Sequence, residues 1–196
     1  MLRRLAIIFL FSLAFFLRAN LLFTQEFSFD ERFSYSFAVD NSFIDHIVSP
    51  PDNRPPLYYS LIKLLIPISS SKEFLRFPSL LFSMISIIFI YKIFEFFSKK
   101  AALYALTFFS THSLLIHVSW QVRDYSLLTM LSVLVVYFLV KILTDIYSHK
   151  TILKKDIFFF LTINFNWSIN HLFILSIYWN SIVCFWNFNI FYQKKN

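Results

Sequence analysis

An apolar run near the start of the chain constrains its fold more than any other feature. Leu5 to Phe23 is almost wholly hydrophobic and follows the basic pair Arg3 and Arg4. Such a run has about the 20 residues that a membrane-spanning helix needs. It exceeds the usual apolar length of a signal peptide, contains Arg18 and lacks a small-residue cleavage site. We therefore interpret it as an uncleaved first span whose N-terminus lies in the cytoplasm.

Further apolar segments extend this interpretation along the chain, which contains 28 Phe and is 58% hydrophobic. The other predicted spans are 77–97, 101–118 and 127–143, followed by a broken helix or two spans over 157–191. Residues 57–68 would cover only about 18 Å as a helix, so we predict a re-entrant or interfacial helix there instead of a span. The sequence thus predicts an all-α integral membrane protein of about five to six transmembrane helices, with residues 1–196 forming a single membrane domain.

The basic residues lie at the ends of apolar runs instead of forming one patch, so the net charge of +7 indicates membrane anchoring and not nucleic-acid binding. They include Lys99, Lys100, the segment 149–155, Lys194 and Lys195. The positive-inside rule places these residues in the cytoplasm. The same multi-pass topology places the loop 24–76, Arg76, Arg123 and His171 on the opposite, extracytoplasmic face.

The loop 24–76 begins with the one long polar interval of the chain, which carries six of the eleven acidic residues. These are Glu26, Asp30, Glu31, Asp40, Asp45 and Asp52. Phenylalanines at positions 29, 33 and 37 follow a helical spacing, which predicts amphipathic juxtamembrane helices in this loop. Asp30 and Glu31 could act as a general base and a partner that orients the substrate. A solvated acidic cap beside Arg32 is the alternative, and the residues alone leave both open.

Two arginines lie at the outer ends of predicted spans, where a guanidinium could bind the phosphate of a lipid-linked substrate. They are Arg76 and Arg123, and the alternative for each is simple snorkelling to lipid headgroups. The segment NRPPLYYSL could present Arg54 and Tyr58 to a substrate, or its tyrosines could belong to an aromatic belt. His171 is a polar residue inside an apolar run, and it is either functional or a satisfied histidine at a helix break.

Several kinds of site are excluded by residue type. The chain has no Gly, which rules out glycine-rich nucleotide-binding loops, and its single Cys rules out a cysteine metal site. His112 and His117 are five residues apart and lie on different faces of a helix. We therefore predict neither a cofactor nor a bound metal.

Six segments in a fixed order resemble a known family. They are DE after the first span, PPLYY, LRFPSLLFS, AALYAL, QVRDYSLLTMLSVL and NHLFIL. Over roughly residues 1–190 the chain resembles the N-terminal half of the GT-C membrane glycosyltransferases related to dolichyl-phosphate-mannose protein mannosyltransferases, especially the RgtA/B/C/D-like branch. The resemblance implies transfer of a sugar, usually with inversion, from a polyprenyl-phosphate donor to a glycan, lipid or protein acceptor. It implies a protein of the plasma or inner membrane whose active face is extracytoplasmic.

The resemblance also implies roles for single residues. Asp30 would be the general base and Glu31 its partner, while Arg76 and Arg123 would bind the departing lipid phosphate. The further candidates for substrate binding are Arg54, Tyr58, Tyr125 and His171.

The chain departs from the family pattern at three places. Arg54 stands where the family commonly has His, QVRDY replaces EARMY at 121–125, and NHL replaces THY at 170–172. Members usually continue for several hundred residues, so we expect a truncated GT-C-like protein. The alternative to an active enzyme is a noncatalytic relative or a polyprenyl-lipid-binding membrane protein.

Overall fold

The computed structural model describes residues 2–48, 56–148 and 154–170, and these residues form nine helices without a β-strand. The helices are α1 (Leu2–Thr24), α2 (Phe29–Asp40), α3 (Phe43–Val48), α4 (Pro56–Leu65), α5 (Lys72–Glu95), α6 (Lys99–Thr111), α7 (Ser113–Val118), α8 (Tyr125–Tyr147) and α9 (Lys154–Asn170). The predicted all-α class is therefore confirmed.

Three of these helices, α1, α5 and α8, are long and apolar enough to cross a membrane. With 23 or 24 residues each, they extend for about 35 Å, which exceeds the hydrocarbon thickness of about 30 Å. The protein is therefore an integral membrane protein. The predicted spans 5–23 and 127–143 fall within α1 and α8, and the predicted span 77–97 overlaps α5 but extends two residues beyond its end at Glu95. Most of the predicted segment 157–191 lies outside the described residues.

The segment 101–118, predicted as one span, consists of two helices instead. Helix α6 ends at Thr111, and His112 has extended backbone angles (φ −65°, ψ 116°) before α7 begins. The guanidinium of the buried Arg18 donates to the carbonyl oxygens of Phe109 and Ser110, both at 2.9 Å. These oxygens belong to the last turn of α6, where carbonyls lack intrahelical partners. Arg18 therefore supplies partners for the helix end and stabilises the break.

Contacts at both ends of α1 show that it runs antiparallel to α5. Near the start of α1, Arg3 forms an ion pair with Glu95 at the end of α5. Near the start of α5, Arg76 donates to the carbonyl oxygen of Leu22, close to the end of α1. We call the end of the bundle that contains Leu22 and Arg76 the site end, and the end that contains Arg3 and Glu95 the far end.

The central helix of the bundle is α5, which packs against α1, α6 and α8. Ala14, Ile87 and Leu106 form a buried cluster that joins α1, α5 and α6. In contrast, Phe9 and Phe16 of α1 are exposed on the outside of the bundle. Apolar side chains on the outer surface of a span-length helix are suited to contact with lipid tails.

The loop between α1 and α5 contains three short helices at the site end. The helix predicted over 57–68 is α4, whose ten residues extend for only about 15 Å and cannot cross a bilayer. Helix α2 packs against α4, and Lys63 of α4 donates to the carbonyl oxygens of Ala38 and Val39 at the end of α2. These contacts hold α2 and α4 together beside the span-length helices.

Candidate functional site

The adjacent acidic residues Asp30 and Glu31 have different environments. Ser28 begins α2 with a capping box, in which its hydroxyl accepts the Glu31 N–H and the Glu31 carboxylate accepts the Ser28 N–H. This turns the Glu31 side chain back toward the start of α2, and the side chain is fully buried. The Asp30 side chain lies at the surface and is 59% exposed.

Glu31 forms a two-pronged ion pair with Arg76 of α5. Arg76 Nε lies 2.8 Å from Oε1 of Glu31 and Nη2 lies 2.8 Å from Oε2. Both side chains are completely buried. Two parallel hydrogen bonds between guanidinium and carboxylate fix both the distance and the orientation of the partners, so this pair locks α2 onto α5.

The remaining N–H groups of Arg76 also donate within the protein. Nη1 donates to the carbonyl oxygens of Leu22 and Gln25, and Nη2 donates to that of Glu26. Together with the two bonds to Glu31, these contacts use all five donors of the guanidinium. The guanidinium also stacks on Trp120 at 4.6 Å from the ring centroid. In this arrangement no donor of Arg76 remains for a phosphate.

The hydrogen bonds to Glu31 outweigh the cost of burying its charge. Burial acts to raise the pKa of this carboxyl. The hydrogen bonds from Arg76 and from the N–H groups of Ser28 and Val122 lower the pKa by more than burial raises it. The net pKa is below the ordinary value of 4.5. Glu31 is therefore a carboxylate held in its charged form, which suits an anchoring role better than proton transfer.

Asp30 forms its own ion pair with Arg123, which precedes α8. Arg123 Nη2 lies 3.0 Å from Oδ2 of Asp30. The arginine is almost completely buried while the aspartate is exposed, so the pair lies where the interior of the site end meets its surface. A molecule arriving from the surface could contact the carboxylate directly.

Arg123 has weaker contacts than Arg76. Its Nη1 lies 3.4 Å from the hydroxyl of Ser34, a long hydrogen bond, and its buried Nε has no hydrogen-bond partner. A buried N–H group without a partner costs free energy, which an incoming acceptor oxygen could recover. Among the two predicted phosphate ligands, Arg123 is thus the one that retains donor capacity.

Tyr58, from α4, lies at the same end but is buried. Its hydroxyl lies 2.9 Å from the hydroxyl of Ser79, which donates to the carbonyl oxygen of Gln121 at 2.7 Å. Burial raises the pKa of Tyr58 well above its usual range, although the hydrogen bond with Ser79 acts in the opposite direction. The phenol is therefore a neutral hydrogen-bonding group inside the core.

The structure brings five of the eight predicted site residues into one connected network, which contains Asp30, Glu31, Tyr58, Arg76 and Arg123. Tyr125 begins α8, and its ring centroid lies 5.9 Å from the Arg123 guanidinium carbon. Arg54 and His171 lie outside the described residues. Within those residues, His, Cys, Asp and Glu side chains form no group of three that could hold a metal ion.

Sequence reasoning missed three residues of this arrangement. The spacing of Ser28 and Glu31 matches the S-x-x-E signature of a capping box, which would have separated the roles of the two acids. Arg18 lies within an apolar run, and this placement by itself predicts a hydrogen-bonding partner for its guanidinium inside the protein. No signal in the sequence marks Ser79, because its importance comes from the distant segment that it contacts.

Comparison with known proteins identifies a family similarity over more than half of the chain. Residues 53–165 match the family described as dolichyl-phosphate-mannose-protein mannosyltransferase. The match includes Tyr58, Arg76 and Arg123 but begins after α2, so it leaves out Asp30 and Glu31. Neither the curated proteins nor the solved structures contain a match to this chain.

Proposed function

Because the chain belongs to the dolichyl-phosphate-mannose-protein mannosyltransferase family, we propose that it transfers a sugar from a polyprenyl-phosphate donor to an extracytoplasmic acceptor. The proposal includes a multi-pass arrangement in the plasma or inner membrane, with the site end outside the cytoplasm. Membership in the family supports a membrane glycosyltransferase in general, and the contacts at the site end support the roles assigned below.

The exposed Asp30 carboxylate, 3.0 Å from a buried guanidinium, is the observation that carries the proposal. A general base must be accessible to the acceptor, and Asp30 is accessible whereas Glu31 is fully buried. A phosphate needs a cationic donor with unused N–H groups, and Arg123 has one. Glycosyl transfer requires removal of a proton from the acceptor and stabilisation of negative charge on the departing phosphate. A base and an anion ligand side by side are suited to these two tasks.

In the proposed reaction, Asp30 accepts the proton of the acceptor hydroxyl. The acceptor oxygen forms a bond to C1 of the sugar on the face opposite the phosphate, which inverts the configuration. The bond between C1 and the phosphate oxygen breaks, and its electron pair leaves with the polyprenyl phosphate. Arg123 stabilises the negative charge on that phosphate by charge-assisted hydrogen bonds.

We assign Glu31 and Arg76 to positioning instead of direct contact with the donor. The sequence predicts Arg76 as a phosphate ligand, but its five donors are already used by Glu31 and by three carbonyl oxygens. Turning the guanidinium of Arg76 toward a phosphate would leave the Glu31 carboxylate buried and unpaired, which costs free energy. In this proposal the pair fixes the start of α2, from which Asp30 projects.

The proposal is tested by measuring transfer of labelled sugar from a polyprenyl-phosphate donor by membranes that contain the chain. Asp30→Asn keeps the size of the side chain but removes the base, so we expect the rate to fall about 100-fold or more. Asp40→Asn is the matched control, because Asp40 is an exposed carboxylate at the other end of α2. Equal rates for wild type and Asp30→Asn would contradict the assignment of the base.

A noncatalytic lipid-binding protein is the second candidate, and the extent of the family match favours it. The match contains Arg123 but leaves out the segment with Asp30. A chain of this kind would bind polyprenyl phosphate without turnover. Binding by wild type that is unchanged in Asp30→Asn and lost in Arg123→Gln, together with an absence of transfer, would identify this function.

A further inference from the structure

The peptide group between Gln121 and Val122 is held from both sides by other helices. Its carbonyl oxygen accepts a hydrogen bond from Ser79 of α5, and its N–H donates to Oε1 of Glu31 at 3.0 Å. The carbonyl also lies 3.5 Å from the Tyr58 hydroxyl of α4. Three separate helices therefore meet at a single peptide plane.

The directions of these hydrogen bonds follow from the number of hydrogens. A serine hydroxyl has one hydrogen to donate, and Ser79 gives it to the carbonyl of Gln121 at 2.7 Å. The contact of 2.9 Å between Tyr58 and Ser79 then requires the tyrosine to donate. Tyr58 thus orients the serine hydroxyl, and the serine hydroxyl orients the peptide.

This peptide lies directly before Arg123. The N–H of Arg123 donates to the same carbonyl of Gln121 at 2.8 Å, and the intervening Val122 is fully buried. A bond between residues two apart restricts the backbone of the residue between them. The orientation of the held peptide therefore determines where the Arg123 side chain begins and whether it reaches Asp30.

We propose that Tyr58 and Ser79 are positioning residues that hold the Gln121–Val122 peptide so that Arg123 faces Asp30. The functional consequence rests on the proposed glycosyl transfer, but the structural part does not. The Tyr58 side chain is 1% exposed and its hydroxyl is engaged within the core. It acts through Arg123 and not by contact with the sugar or the phosphate.

The structural part is tested by hydrogen exchange of the amides at 122 and 123 in the ligand-free protein. Tyr58→Phe and Ser79→Ala each remove one hydroxyl, so we expect exchange about 5-fold faster at these amides. Two controls remove comparable groups elsewhere. Tyr59→Phe removes the hydroxyl of the neighbouring buried tyrosine, and Ser86→Ala removes a buried hydroxyl that bonds within α5. Exchange in Tyr58→Phe and Ser79→Ala equal to that of the controls would overturn the proposal.

The functional part is tested by binding of polyprenyl phosphate, measured in wild type and in an Arg123→Lys background. If Tyr58 acts through Arg123, Tyr58→Phe weakens binding about 5-fold in wild type and less than about 2-fold when the guanidinium is already absent. Equal losses in both backgrounds would show a general structural effect and overturn the positioning role. A wild type that neither binds nor transfers would contradict the proposed function, while the exchange result would still decide whether the peptide is held.

Discussion

At the scale of the residue, a single helix start gives two adjacent carboxylates different properties. Successive side chains on a helix point about 100° apart, so Asp30 and Glu31 cannot face the same environment. Glu31 is the third residue of the helix, where its side chain completes the capping box, and it receives hydrogen bonds from Ser28, Arg76 and Val122. Asp30 lies at the surface, and its Oδ2 forms an ion pair with Arg123. Their different roles thus follow from the start of α2 and not from their residue types.

The lowered pKa of Glu31 predicts how the stability of the protein depends on pH. The folded state keeps this carboxyl charged to a lower pH than the unfolded chain, whose pKa is near the ordinary value of 4.5. Its contribution to stability is therefore complete above that value and is lost as pH falls through the folded pKa. We expect the thermal midpoint of wild type to decrease over this acidic range, and that of Glu31→Gln to decrease less.

The same variant also reports the strength of the buried ion pair. Removing the charge of Glu31 leaves the Arg76 guanidinium buried and unpaired, which typically costs about 3–5 kcal/mol. Glu26→Gln is a suitable control, because the side chain of Glu26 is exposed and only its backbone carbonyl contacts Arg76. If Glu31→Gln and wild type have the same midpoint at neutral pH, Glu31 does not anchor α2.

At the scale of the element, a buried arginine determines where α6 ends. Arg18 donates to Ser83 of α5 and to two carbonyl oxygens in the last turn of α6. A cation at a helix C-terminus also interacts favourably with the helix dipole. Because α7 and the segment before Arg123 follow this break, the position of the site depends on a residue in the first helix.

Replacing Arg18 by Met tests this dependence. Methionine retains an unbranched apolar side chain but leaves the carbonyls of Phe109 and Ser110 without the guanidinium, at a cost of about 1–3 kcal/mol per unsatisfied group. We expect a lower thermal midpoint together with reduced sugar transfer. Arg4→Met, an exposed residue of the same helix, should change neither measurement. Full activity in Arg18→Met would show that the break does not position the site.

The sequence predicts the long elements well because their length and hydrophobicity are local properties. The runs 5–23, 77–97 and 127–143 were sufficient to locate α1, α5 and α8. The break at His112 could not be predicted, because the guanidinium that stabilises it is more than 90 residues away in the chain. For the same reason the sequence singled out the two acids and two arginines that lie together in the structure, but not which acid pairs with which arginine.

At the scale of the whole molecule, the antiparallel packing of α1 and α5 separates two chemically different ends. The site end contains Asp30 and Arg123, and the far end contains the ion pair of Arg3 with Glu95 and the exposed Lys99 and Lys100. Lysines beside a span favour the cytoplasmic side. The proposed orientation therefore places the acidic residues of α2 outside the cytoplasm, on the same side as the proposed acceptor.

This orientation is tested by labelling single cysteines with a thiol reagent that does not cross the membrane. In a Cys184→Ser background, Ser36→Cys places a thiol on an exposed position of α2 at the site end, and Lys100→Cys places one at the start of α6 at the far end. We expect intact cells to be labelled at position 36 only, and permeabilised cells to be labelled at both positions, which controls for local accessibility. The reverse pattern in intact cells would place Asp30 and Arg123 in the cytoplasm. An extracytoplasmic acceptor could then not reach the proposed base, and the orientation and the choice of acceptor would both be contradicted.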